Sequence, residues 1–145
     1  MIDSILLWHR RARPNPTYED FQVQLGCHFE EVAEQLDELD VTDINQKLML
    51  GQTADMLEKI ATLLKNKQMT VRINNRNNFL KELCDGIVTA VGVAYTRDMA
   101  IVSAVEEVNA SNWSKFNYKG FPEFDKNGKI KKGETYKPAN MEGMA

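Results

Sequence analysis

The sequence has little of the chemistry that most catalytic motifs need. Its two histidines are His9 and His28, and neither follows a glutamate by three residues, as ferritin-like di-iron bundles require. The two cysteines, Cys27 and Cys84, lie inside apolar helical patterns, which favours free thiols and leaves no cluster for zinc. No glycine-rich phosphate loop and no Ser/His/Asp set is present. These absences argue against di-iron, zinc, P-loop and serine-hydrolase chemistry.

Long apolar runs are also missing. The longest uncharged run, Gly86–Thr96, is too short to span a bilayer, and the first residues do not resemble a secretory signal peptide.

The net charge of -3 and the pI near 5.4 argue against a general nucleic-acid binder. Residues 115–145 nevertheless contain seven lysines against four acids, so the tail is basic and the body acidic. We expect a cytoplasmic protein that binds neither membranes nor nucleic acid.

Hydrophobic spacing predicts an all-α protein in one domain of 145 residues. It consists of an N-terminal segment (1–17), a helical core (18–116) and an irregular basic tail (117–145), with a turn at Asn127-Gly128. Four helices are expected, at about 18–39, 43–66, from the asparagine-rich stretch 74–78 to 95, and 98–116. Thr17 and Thr42 are the expected N-caps of the first two helices. The expected core positions are Phe21, Leu25, Phe29, Val32, Leu36, Leu39, Leu48, Leu50, Met56, Ile60, Leu63 and Leu64.

Two pairs of carboxylates are the main indication of function. Glu31 and Glu34, and likewise Glu82 and Asp85, have i, i+3 spacing, which places each pair on one helix face. Two like charges so close repel each other unless a cation lies between them. Four carboxylates without imidazole favour Mg²⁺, or Mn²⁺, as that cation.

A solvated helix face is the ordinary interpretation of such acids. Two observations weaken it. Nine acids and no lysine or arginine lie between Arg13 and Lys47, so local ion pairs cannot neutralise the first pair. The faces that carry the pairs also continue as uncharged residues, which predicts partial burial and therefore a cation partner. Those residues are Val23 and Cys27 on the first helix and Thr89, Gly92 and Val93 on the third.

Mg²⁺ held by carboxylates usually serves a substrate phosphate, which then needs further donors. Asn109, Asn112 and Lys115 recur every three residues along one side of the last helix and supply amide and ammonium groups. The alternative is a fraying helix end whose lysine interacts favourably with the helix dipole.

Three segments together resemble a known family. The segments Glu30–Glu34, Glu82–Asp85 and Glu107–Lys115, with the tail from Asp125 to Pro138, are similar to the MazG-type all-α nucleoside triphosphate pyrophosphohydrolases. The nearest resemblance is to the compact phosphoribosyl-ATP pyrophosphohydrolase-like members of bacteria and phages. The gap between Glu34 and Glu82 is longer than is usual in the family.

The resemblance implies a four-helix-bundle-like fold that forms homo-oligomers, dimers or tetramers, and cleaves between the α- and β-phosphates with Mg²⁺. It implies that Glu31, Glu34, Glu82 and Asp85 hold the metal. It further implies that Glu30, with Glu31, activates water, and that Lys115, Asn112 and Asn109 bind phosphate. Trp8 and His28 are candidates for base contacts. Two alternatives stay open: a non-catalytic metal- or nucleotide-binding helical oligomer, and an enzyme acting on phosphoribosyl-ATP.

Overall fold

The computed structural model describes residues 1–145 and contains five α-helices and no β-sheet, which confirms the all-α prediction. They are α1 (Ile2–Ala12), α2 (Tyr18–Asp37), α3 (Ile44–Lys65), α4 (Arg76–Tyr95) and α5 (Ile101–Trp113). None of them is both long and apolar enough to cross a membrane.

The internal contacts divide the chain into two compact units. One consists of residues 1–14, 72–123 and 130–145 and carries α1, α4 and α5; we call it the α1–α4–α5 unit. The other consists of residues 15–71 and 124–129 and carries α2 and α3; we call it the α2–α3 unit. The assignment of the whole chain to a single domain stays a prediction.

The first two predicted helices are present, with a correction to one cap. Thr17 forms a capping box with Asp20: each side chain accepts a hydrogen bond from the other residue's backbone N–H. The cap of α3 is Asp43 rather than Thr42, because the Asp43 carboxylate accepts from the N–H groups of Asn45 and Gln46. A charged oxygen at an N-cap also interacts favourably with the helix dipole.

The structure contains one helix that was not predicted and defines where two of the predicted helices begin. The N-terminal segment, expected without a helix of its own, forms α1. Within the asparagine-rich stretch, Asn75 is the N-cap of α4 and accepts from the N–H of Asn78. Helix α5 begins at Ile101 rather than near Asp98, because Asp98 has a φ of 57°, which a right-handed helix does not allow.

Close contact between α2 and α3 defines the α2–α3 unit. A Cβ at Gly26 would lie 2.8 Å from the carbonyl oxygen of Ala61 and 3.3 Å from the Cβ of Leu64, so only glycine allows this approach. The buried residues of the unit are Gln22, Val23, Gly26, Ala33, Ala54, Ala61 and Leu64. The prediction that Leu39, Leu48 and Met56 lie in the core is wrong, because each of these residues is more than half exposed. Two packed helices bury only one stripe on each, and these three side chains lie outside it.

The α1–α4–α5 unit has a small interior. Helix α5 contacts α1 and α4 over short stretches, and Ala12, Ala94 and Phe116 are buried. Helix α4 leaves most of its apolar side chains exposed. Four of them recur at three- and four-residue spacing: Leu80, Leu83, Ile87 and Val91, which we call the α4 stripe.

The tail after α5 is irregular, as predicted, and the turn at Asn127-Gly128 is present. The N–H of Asp125 donates to the carbonyl of Lys129 at 2.9 Å, and the Asp125 carboxylate accepts from the N–H groups of Asn127 and Lys129. Gly128 has a φ of 85°, a conformation that glycine adopts without steric conflict. The turn therefore fixes the direction in which Lys129 leaves the backbone.

Candidate functional site

The four predicted metal ligands are all exposed. Glu31 and Glu34 lie on the solvent side of α2, and the side chains of Glu82 and Asp85 on α4 are 70% and 53% exposed. The prediction that both carboxylate faces are partly buried is wrong for these side chains. The uncharged continuation is buried only on α2, at Val23, and not on α4. Burial therefore supplies no argument that these carboxylates need a metal ion.

A lysine already accompanies the second pair. The Lys81 ammonium group lies 2.5 Å from the Asp85 carboxylate and 3.4 Å from that of Glu82. Exposed ion pairs of this kind contribute little to stability, typically about 0.2–1 kcal/mol. They do relieve the repulsion between the two carboxylates in the absence of a metal ion.

The first pair has a different neighbourhood. Glu30, beside it, is bound by two lysines that are distant in sequence: Lys65 at 2.5 Å on one carboxylate oxygen and Lys129 at 2.8 Å on the other. Glu31 and Glu34 make no ion pair. Among Glu30, Glu31 and Glu34, tertiary contacts with lysines therefore compensate the charge of Glu30 only.

The electrostatics of Glu30 and Lys129 are coupled. Partial burial raises the pKa of Glu30, but hydrogen bonds and charge from Lys129 and Lys65 outweigh burial and hold that pKa below its ordinary value. Partial burial lowers the pKa of Lys129, while Glu30 more than compensates and raises it overall. Burial is also the main reason that the pKa of the nearby Cys27 thiol is raised. Glu30 and Lys129 therefore both remain charged over a wide pH range.

No group of three or more histidine, cysteine, aspartate or glutamate side chains gathers to hold a metal ion. The pair Glu31/Glu34 belongs to the α2–α3 unit and the pair Glu82/Asp85 to the α1–α4–α5 unit. Each pair offers two exposed carboxylates, and Mg²⁺ commonly uses one or two carboxylates together with water and substrate phosphate. The donor chemistry of each pair therefore fits Mg²⁺, although the structure does not group all four.

The predicted phosphate-binding residues and Trp8 come together in the α1–α4–α5 unit. The Lys115 ammonium donates to the Asn112 side-chain oxygen at 2.6 Å, and the Trp8 indole N–H donates to the Asn112 carbonyl at 2.8 Å. The Asn109 amide donates to the Ser4 hydroxyl at 2.8 Å. Helix α1, which the sequence did not predict, provides two of these contacts.

The two candidates for base contacts do not come together. Trp8 stacks on Phe116, with ring centroids 5.9 Å apart and an interplanar angle of 4°, so one face of its ring is used in packing. His28 is exposed on α2 in the other unit, 6.1 Å from the Phe29 ring. His28 therefore has the more accessible ring.

Sequence reasoning missed Lys65 and Lys129 as candidate site residues. Both line a cavity of about 240 Å³ in the α2–α3 unit. The only sequence signal was the run of nine acids from 19 to 43 without a lysine or arginine among them, and it does not say which distant cations approach it. A second, larger cavity of about 590 Å³ lies in the other unit between residues 117–123 and 131–135 of the tail.

The chain was also compared with known proteins. No protein-family model, curated protein or solved structure matches it. The resemblance to the MazG-type family therefore depends on the motifs in the sequence alone.

Proposed function

We propose that this chain is a Mg²⁺-dependent nucleoside triphosphate pyrophosphohydrolase that releases a nucleoside monophosphate and pyrophosphate. One observation carries the proposal. Glu31 and Glu34 are exposed and make no ion pair, while the adjacent Glu30 is neutralised by two lysines. Besides Asp37 in the last turn of α2, the uncompensated carboxylates on this helix are the two that the MazG-like motif assigns to the metal.

In this proposal Glu31 and Glu34 hold Mg²⁺, and Glu82 and Asp85 are a second pair of carboxylates to which the resemblance assigns the same ligand. The ion would polarise the phosphate and offset charge on the departing pyrophosphate. Lys81 would have to release Asp85 for that carboxylate to bind metal, which is feasible because the ion pair is exposed.

The protein's own donors would hold the triphosphate. Lys115 and Asn112, whose side chains are joined at 2.6 Å, would present ammonium and amide N–H groups to phosphate oxygens, assisted by Asn109. Such donors stabilise the charge that develops during phosphoryl transfer. His28 is the more accessible candidate for the base, and Trp8 the more packed one.

The role that we assign most differently from the sequence-based prediction is the activation of water. Glu30 is a weak proton acceptor, because its pKa is lowered by Lys129 and Lys65. We therefore assign Glu30 to the positioning of these two lysines. Glu31, the other carboxylate of the predicted catalytic pair, would orient the attacking water.

A homo-oligomer in the cytoplasm completes the proposal. The α4 stripe exposes four apolar side chains in a row on one helix. Apolar patches of this kind mark interaction surfaces, and the resemblance to an oligomerising family favours a second copy of the chain as the partner.

A nucleotide panel with and without Mg²⁺ tests the activity. Canonical and modified deoxynucleoside triphosphates and phosphoribosyl-ATP are incubated with the protein, and ³¹P NMR identifies the products. We expect monophosphate and pyrophosphate from at least one substrate. Glu31→Gln and Asp85→Asn should each reduce turnover by more than about a hundredfold, because loss of a residue that only supports a metal ligand already costs about tenfold to a hundredfold.

The matched control is Glu58→Gln, which removes an exposed carboxylate from α3 that belongs to neither pair. It should leave turnover unchanged. Orthophosphate as the product, or full activity in Glu31→Gln, would contradict the proposal. Mg²⁺ binding without turnover of any nucleotide would instead support the non-catalytic binding module.

A further inference from the structure

The cavity of about 240 Å³ in the α2–α3 unit lies at one end of α3 and is bordered by the turn 125–129. The residues that line it are all polar: Thr62, Lys65, Asn66, Asp125, Asn127 and Lys129. It is smaller than the roughly 300–1,000 Å³ pockets that take drug-sized ligands. The size and lining suit a small, highly charged ion better than an organic molecule.

Glu30 holds the two lysines of this cavity in fixed positions. Its two carboxylate oxygens each accept from a different ammonium group, Lys65 at 2.5 Å and Lys129 at 2.8 Å. An ammonium group has three donors, so each lysine keeps N–H groups for a further acceptor. The side chain of Lys65 is 16% exposed and that of Lys129 is 47% exposed, which makes Lys129 the one that solvent reaches more freely.

The turn 125–129 and the end of α3 provide the remaining residues that line the cavity. The Asn127 amide donates to the Asn66 side-chain oxygen at 3.1 Å. Asp125 brings a negative charge, but one of its oxygens accepts two backbone N–H groups of the turn, which offset part of that charge. The cavity therefore presents two preorganised ammonium groups beside the carboxylates of Glu30 and Asp125, with amide and hydroxyl groups around them. Preorganisation lowers the entropy lost on binding.

Glu31, the first proposed metal ligand, directly follows Glu30, whose carboxylate anchors both lysines. A phosphate group held by the two lysines would therefore lie beside the part of α2 that carries Glu31. We infer that Lys65 and Lys129, anchored by Glu30, form a subsite for the pyrophosphate part of a nucleoside triphosphate and for released pyrophosphate. This inference rests on the proposed function for its choice of ligand.

The test is calorimetric titration of the full chain with inorganic pyrophosphate, without metal and at low ionic strength. Loss of one charged hydrogen-bond donor should weaken binding about tenfold to a hundredfold, so we expect this for Lys129→Gln. Orthophosphate should bind more weakly than pyrophosphate, because it reaches fewer donors at once. A nucleoside monophosphate should show no dependence on Lys129.

Lys67→Gln is the matched control. Lys67 is ion-paired with Glu19 in the same unit and does not line the cavity. It should leave pyrophosphate affinity unchanged. A second variant, Lys65→Arg, keeps the charge but has a bulkier head group, and it should weaken binding less than Lys129→Gln does. Lack of pyrophosphate binding by the wild type, or equal losses in Lys129→Gln and Lys67→Gln, would overturn the subsite.

Binding and turnover separate this inference from the proposed function. If the wild type binds pyrophosphate through Lys129 but hydrolyses no nucleotide, the result supports the pyrophosphate subsite and refutes the proposed activity. If turnover is normal and pyrophosphate inhibits Lys129→Gln as strongly as it inhibits wild type, the activity stands and the subsite is wrong.

Discussion

Helices α2 and α4 are both 20 residues long, and both carry glycine and alanine among larger apolar residues, yet they are buried very differently. Helix α2 packs closely on α3, with Gly26 at the point of nearest approach and Ala33 fully buried. On α4 only Ala94 is buried, and nothing lies within 4 Å of a Cβ placed at Gly86 or Gly92.

The difference shows what an apolar helix face can and cannot reveal. A stripe of small and branched residues indicates that a helix has a partner. It does not indicate whether the partner belongs to the same unit or to another molecule. The contrast between α2 and α4 is best examined by disturbing each face in turn.

The largest effect is expected on the α4 stripe. Ile87→Lys places a charge in its centre, at a side chain that is 55% exposed. If a second copy covers the stripe, burying this charge is prohibitive and the oligomer should dissociate into monomers. Light scattering after size exclusion measures the mass. Thr89→Lys, on the opposite side of α4, is the control and should keep the oligomer; a wild-type monomer would refute the interface.

A smaller effect is expected at the α2–α3 contact. In Gly26→Ala the new Cβ would lie 2.8 Å from the Ala61 carbonyl oxygen, which cannot move without α3. Overpacking of this kind costs about 1–3 kcal/mol of unfolding free energy, measured by urea denaturation. Gly51→Ala on α3 is the control, because its Cβ meets nothing within 4 Å and helix propensity favours alanine. Equal stability of the two variants would contradict the close approach.

The smallest effect concerns the pH dependence of the α2–α3 unit. The pKa of Glu30 is lowered by folding, so its ion pairs stabilise the protein above the ordinary value of 4.5 and are lost as pH falls through the lowered pKa. The pKa of Lys129 is raised, so its contribution is present below 10.5 and lost as pH rises through the raised pKa.

Glu30→Gln should therefore lower the unfolding free energy at neutral pH and approach wild type in acid. Urea denaturation across the acidic range measures the difference, with Glu58→Gln as the control that should change little at any pH. A deficit in Glu30→Gln that stays constant down to the most acidic pH would show that the loss is packing rather than charge.

Some of the candidate site could be inferred from the sequence because it depends on local spacing. The i, i+3 pairs Glu31/Glu34 and Glu82/Asp85 do lie on helices, and Asn112 and Lys115 are joined as their spacing implies. Exposure of the pairs could not be inferred, because it depends on which face of each helix finds a neighbour. For the same reason Leu39, predicted to be in the core, is exposed.

The sequence by itself determined four of the five helices, α2 to α5, since periodicity and caps such as Thr17 act over a few residues. It also determined the placement of the acidic motifs on them. Only the tertiary structure decided that Glu30 is neutralised by Lys65 and Lys129, which lie 35 and 99 residues away in sequence. Coulombic pairing depends on distance in space, and that distance is set by the packing of α2 on α3 and by the turn 125–129. The pair Asn127-Gly128 predicts the turn, but no local pattern in the sequence predicts which residues the turn contacts or that α2 packs on α3.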